Sequence, residues 1–128
     1  MRVIFYNYYI PYRNYFKNSE NPRIETFTDF KEFRDNWIRG EECIIIIPVQ
    51  TFDLIGLDIR FIFREYGRDD SKKFLLIGDR KQIEFALSQN DKFLQNVIGE
   101  VQLPLYSEVI EDTIKAKLNV LMKTNKKG

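Results

Sequence analysis

The run Cys43-Ile44-Ile45-Ile46-Ile47, closed by Pro48, constrains this chain more than any other stretch. Successive isoleucines leave no polar face for water, and β-branched side chains fit a pleated strand better than a helix. A short, fully apolar run between turn signals predicts a strand covered on both faces, as in the middle of a parallel sheet. Phe74-Leu75-Leu76-Ile77 repeats the pattern. Two such strands, separated by amphipathic segments, point to an α/β sheet with helices on both faces.

The rest of the chain fits that frame. Val3–Tyr6 reads as a first strand, and Pro11–Ser19 as a short helix carrying Tyr12, Tyr15 and Phe16. Asn21-Pro22 ends that helix, and Arg23–Phe27 alternates as a half-buried edge strand does. Thr28 or Asp29 can cap a helix whose Phe30, Phe33, Trp37 and Ile38 share one face, with Gly40 as its stop. Leu57–Tyr66 places Ile59, Ile62, Phe63 and Tyr66 together, ended by Gly67. Asp79 caps a helix that turns Ile83, Ala86 and Leu87 inward and Phe85 to the other side. Val97–Leu103 contains the last strand. Ser107–Met122 is the final helix, with Ile110, Ile114, Leu118 and Leu121 inward and a favourably ordered Glu111–Lys115 pair. Five strands alternating with five helices predict a doubly wound, five-stranded parallel sheet. Residues 1–122 form one domain, followed by a flexible basic tail over 123–128.

At 128 residues the chain can bury a core without staples, and 44% apolar with 30% charged residues suits a globular protein. A net charge of +1 provides no strong field for nucleic acid or an anionic membrane. One cysteine excludes an internal disulfide, and Cys43, opening an apolar strand, reads as a buried thiol. No segment is apolar for long enough to span a bilayer and no signal series opens the chain, so the cytoplasm is the expected compartment.

In open α/β sheets, ligands and reactions sit outside the carboxyl ends of the strands. Here those ends are Tyr6-Asn7-Tyr8, Pro48, Gly78-Asp79 and Leu103-Pro104, with no histidine anywhere in the chain. Five tyrosines fall between Tyr6 and Tyr15. They could form a stacking platform for bases or a planar ligand. The near-neutral charge favours the plainer reading, in which part of the cluster is core and the rest fills space at the strand ends.

Glu25-Thr26-Phe27-Thr28-Asp29-Phe30-Lys31-Glu32-Phe33, followed by Glu42–Ile47, resembles the second strand, second helix and third strand of a response-regulator receiver domain. Gly56-Leu57-Asp58-Ile59 resembles the helix start after that family's phosphorylation loop, Phe74–Ile77 its fourth strand, and Leu103-Pro104-Leu105 the end of its fifth. The resemblance implies the flavodoxin-like strand order 2-1-3-4-5, two-component signalling, Mg²⁺-dependent phosphorylation of an aspartate, and docking through the face of the family's fourth helix, fifth strand and fifth helix. The positions it implies for the phosphate switch are occupied otherwise. The acid pair falls on Tyr6, Asn7 and Tyr8, the phosphoacceptor on Pro48, the hydroxyl on Gly78 and the lysine on Leu103. Mg²⁺ takes hard oxygen ligands, usually with one or two carboxylates, and none stands at these positions. Asp53 lies in the following loop and is a weak substitute. The resemblance therefore implies a pseudo-receiver: a non-enzymatic module without metal or cofactor that acts through a protein partner or through itself. Phe85, Gln89, Tyr106, Glu108 and Glu111 are its candidate contact surface. A small-ligand or nucleotide sensor using the tyrosine-rich strand ends is the alternative.

Overall fold

The computed structural model describes residues 2–7, 16, 23–36, 38–49, 70–88, 96–103 and 107–127. Five strands form one parallel sheet: β1 (Arg2–Tyr6), β2 (Glu25–Phe27), β3 (Cys43–Pro48), β4 (Lys72–Asp79) and β5 (Val97–Leu103). Their spatial order is β2-β1-β3-β4-β5, as the resemblance implies. The described helices are α1 (Phe30–Asp35), α2 (Arg80–Ser88) and α3 (Ser107–Lys127).

Strand periodicity sorts the core into two layers. Ile4, Tyr6, Ile45, Ile47, Phe74 and Leu76 point to one face, where Phe33 of α1 and Ile83 of α2 cover them. Val3, Phe5, Ile44, Ile46, Leu75 and Ile77 point to the other, beneath Ile110, Ile114 and Leu118 of α3. The isoleucine run is fully buried because it supplies both layers at once. At the β5 edge the register slips between Phe74 and Leu75, which brings Gly99 opposite Leu75. A Cβ at Gly99 would stand 2.9 Å from Lys117 Cε and 3.2 Å from Leu75 Cδ1, so the missing side chain lets α3 lie close on the sheet.

Several boundaries differ from the sequence expectation. β4 extends from the apolar run to Lys72 and Asp79 because pairing with β3 begins at Cys43↔Lys72 and continues to Pro48↔Ile77. α1 is capped as predicted, with Asp29 accepting from the Glu32 N–H at 2.9 Å, but it stops at Asp35 and not near Gly40. Asn36 ends it by donating its side-chain N–H to the Glu32 carbonyl at 2.8 Å. Ile38 consequently leaves the predicted apolar face and is 53% exposed. Gly40 (φ 83°) serves the following turn. The α3 backbone is helical through Lys127, past the expected end at Met122 and into the segment read as a tail.

The Pro11–Ser19 helix is not continuous, because Phe16 has φ 63°, a left-handed value that a right-handed helix cannot contain. Phe16 is instead a buried turn residue, its ring 5.4 Å from that of Phe5 and its N–H donated to Glu111 Oε1 at 2.7 Å. The rest of that segment, Trp37 and the Leu57–Tyr66 helix lie outside the described residues.

Candidate functional site

The carboxyl edge of the sheet is where this fold places chemistry, and the structure assembles most of the sequence-predicted positions there. Asn7 follows β1 and is buried, donating its backbone N–H to the Phe27 carbonyl at 2.7 Å. Pro48 ends β3 beside Ile77, and the Val49 N–H continues the ladder to the Ile77 carbonyl at 2.7 Å. Gly78 pairs with Gln102 and Asp79 with Leu103, which closes β5. Tyr8 and Asp53 lie outside the described residues.

The predicted stacking platform loses its first member. Tyr6 is buried, its ring stacked on Phe33 at 4.8 Å and 21° and tilted against Phe30 at 6.4 Å. The tyrosine at this strand end is a core side chain that ties β1 to α1. Tyr9, Tyr12 and Tyr15 lie outside the described residues.

Asp79 is the carboxylate nearest to these positions among the described residues. It accepts the Gln82 N–H at 2.8 Å and so caps α2. A cap carboxylate is fixed by the first turn of its own helix. Among the described residues no group of three or more acidic or cysteine side chains could hold a metal ion.

Of the contact surface expected from the resemblance, Phe85 lies on α2, and Glu108 and Glu111 on α3. Gln89 and Tyr106 lie outside the described residues. Glu111 is half-buried and turned toward the Phe16 backbone, and Lys115, expected as its helical partner, sits 6.0 Å over the Phe16 ring. Both side chains hold the turn after β1 onto α3. Glu111 therefore belongs to a structural tether and not to a free docking face.

Among the described residues the most developed polar cluster is at the opposite, amino edge. Arg2 forks onto Glu25, with Nε to Oε2 at 2.5 Å and Nη2 to Oε1 at 3.0 Å. Its Nη1 reaches the Asn36 carbonyl at 2.9 Å and Glu41 Oε1 at 3.1 Å. Lys72, 2% exposed, donates to the Ile38 carbonyl at 2.6 Å, to the Glu41 carbonyl and to Ser71 Oγ at 3.3 Å. These two cations bind β1, β2, β4 and the α1–β3 connection together. Only their positions opposite Cys43 in the register, Arg2↔Cys43 and Cys43↔Lys72, could have revealed them.

The hydrogen bonds from Arg2 hold the Glu25 carboxyl below the usual carboxylate range. Its folded pKa is therefore lower than its unfolded pKa, so the pair's stabilisation is full above the unfolded value and fades as pH falls through the folded one. Glu25→Gln should flatten the stability curve between about pH 5 and about pH 3, with a loss near neutrality of about 1 kcal/mol or less for a half-exposed pair. Urea melts of both proteins across that range check this, and identical slopes would exclude the pair as the source.

Cys43 is buried, and burial pushes its thiol up to about 12, the nearby Lys72 and Arg2 offsetting only part of it. The thiolate is the reactive form. Native protein should resist thiol reagents at neutral pH and react stoichiometrically once unfolded in urea. Prompt labelling of the native protein would show an accessible thiolate.

These features define the class. The chain is an α/β protein with the flavodoxin-like and receiver-like sheet order. A solved structure described as a response regulator from Colwellia psychrerythraea superposes with a TM-score of 0.60 over 92% of this chain and 96% of that one, at 21% identity. The likeness is one of fold. No family model matches the sequence, and no curated protein matches it. Among the described residues no helix is long and apolar enough to cross a membrane.

Proposed function

We propose that this chain is a receiver-like signalling domain that works without phosphorylation, by docking a protein, and that it is not an enzyme. The observation that carries this reading is the carboxyl edge. Tyr6, Asn7, Pro48 and Gly78 meet there, a core ring fills one strand end, and the carboxylate nearest to them among the described residues is committed to a helix cap. A phosphoryl group needs an acceptor oxygen, a cation to balance its charge and, where Mg²⁺ assists, hard oxygen ligands. Proline and glycine supply no side-chain oxygen.

Burial of Tyr6 also counts against the small-ligand alternative, since a stacking platform must expose its ring faces. A cytoplasmic location accords with such a role.

An amide NMR titration with Mg²⁺ and beryllofluoride, a phosphoryl mimic, tests the reading. The expected result is no saturable shift at Asn7, Val49, Gly78 or Asp79. Saturable shifts there would establish a working phosphate site and overturn it.

A further inference from the structure

We propose that the outward face of α3 is a self-association surface, on which the same helix of a second copy lies antiparallel. The proposal rests on the docking role above and commits it to one partner.

The inward line of α3, Ile110, Ile114 and Leu118, is buried on the sheet. On its outer side Val109, Thr113, Ala116 and Val120 follow one another at steps of four, three and four residues, which places them in one stripe. Val109 is 42% and Val120 62% exposed, two of the three large apolar side chains that the described surface leaves most open. Thr113 and Ala116 between them are small enough for a second helix to approach closely.

Charge sets the direction. The first turns of α3 carry Glu108 and Asp112, whereas its last turns carry Lys123, Lys126 and Lys127. Asp112 and Lys123 are both exposed and both lie beside the stripe. A parallel pair would set acid against acid and base against base. An antiparallel pair sets the acidic turns of each copy against the basic turns of the other and runs the two helix dipoles in opposite directions. With Val109 opposite the partner's Val120, Thr113 meets Ala116, so the stripe is complementary to itself about a two-fold axis, as an isologous dimer requires.

The contact is one helix wide, at the low end of specific interfaces, so the dimer is weak, with Kd on the order of 10⁻⁴ M. Sedimentation velocity should show the sedimentation coefficient rising with concentration through that range. Val120→Glu should weaken association at least about tenfold while leaving the melting temperature nearly unchanged, because Val120 is exposed. Asp112→Lys should weaken it as well, and adding Lys123→Glu in the same chain should restore it.

Cysteine cross-linking reads the geometry. Val109 and Val120 are eleven residues apart. In the antiparallel pair, two copies of position 109 stand about 16 Å apart, too far for a disulfide, which needs Cα atoms within about 7 Å. Val109→Cys mixed with Val120→Cys should therefore give the mixed disulfide, and Val109→Cys alone should give none. A protein that stays monomeric to millimolar concentration, or one in which Val109→Cys cross-links with itself, overturns the proposal. Neither result bears on beryllofluoride insensitivity, so the two readings fail separately.

Discussion

Phe33→Ala is expected to cost about 3–5 kcal/mol of folding free energy, the range for truncating a buried phenylalanine. Phe33 is fully buried on α1, and its ring stacks on Tyr6 at 4.8 Å. The truncation would remove the apolar area of the ring and leave a cavity under β1, β3 and α1. α1 has only six residues, too few to persist without tertiary contacts, so its packing face carries its stability. A urea denaturation series checks the size. The location is checked by the amide shifts of Tyr6 and Asn7, which should move because the stack fixes that strand end. A loss below about 1 kcal/mol would mean that the neighbouring rings collapse into the space. The consequence for function is direct: the side chain that closes the first strand end packs on Phe33, so loosening that contact would loosen the carboxyl edge.

Lys72→Met should cost about 2–4 kcal/mol, because charge-assisted hydrogen bonds are worth more than neutral ones and the acceptors left behind are expensive. The ammonium has three donors and meets three oxygens: the carbonyls of Ile38 and Glu41 and the Ser71 hydroxyl. Methionine keeps the length of the stem but leaves both carbonyls of the α1–β3 connection without their cation. Lys73→Met, one residue along and only half-buried, should cost less than about 1 kcal/mol and serves as the control. Equal losses at the two positions would mean that the alkyl stem matters and the charge does not. Hydrogen exchange should further show the segment from Ile38 to Cys43 opening first in Lys72→Met, since Lys72 holds it to β4.

The two apolar runs were the most legible part of the chain, and the reason is physical. Ile44–Ile47 and Phe74–Ile77 can satisfy both of their faces only inside a sheet covered on both sides, and that requirement alone fixes a parallel α/β layout. The caps were legible too. Asp29 and Asp79 each accept the backbone N–H three residues on, as a short acidic side chain before an apolar helix should. Where the reading failed, a local signal had a competitor that periodicity does not contain. Ile38 fits the helical spacing of Phe30 and Phe33, but Asn36 ends the helix before it and Lys72 takes up its carbonyl. Tyr12, Tyr15 and Phe16 fit a helix equally well, yet Phe16 is turned left-handed by packing against Phe5 and by the carboxylate of Glu111, ninety-five positions further on. Glu111 itself looked like half of a surface ion pair.

The sequence by itself thus determined a parallel sheet covered on both faces and the residue types that close its strands, because strand burial and residue type at strand ends depend on neighbours close in the chain. Tertiary structure alone decided the rest. It put Tyr6 in the core and not on a platform, and it gave Lys72 and Arg2 their acceptors at the amino edge. Each of these depends on which distant groups arrive at the same place, and a polar side chain buried or an apolar one exposed is settled only when its partners are known.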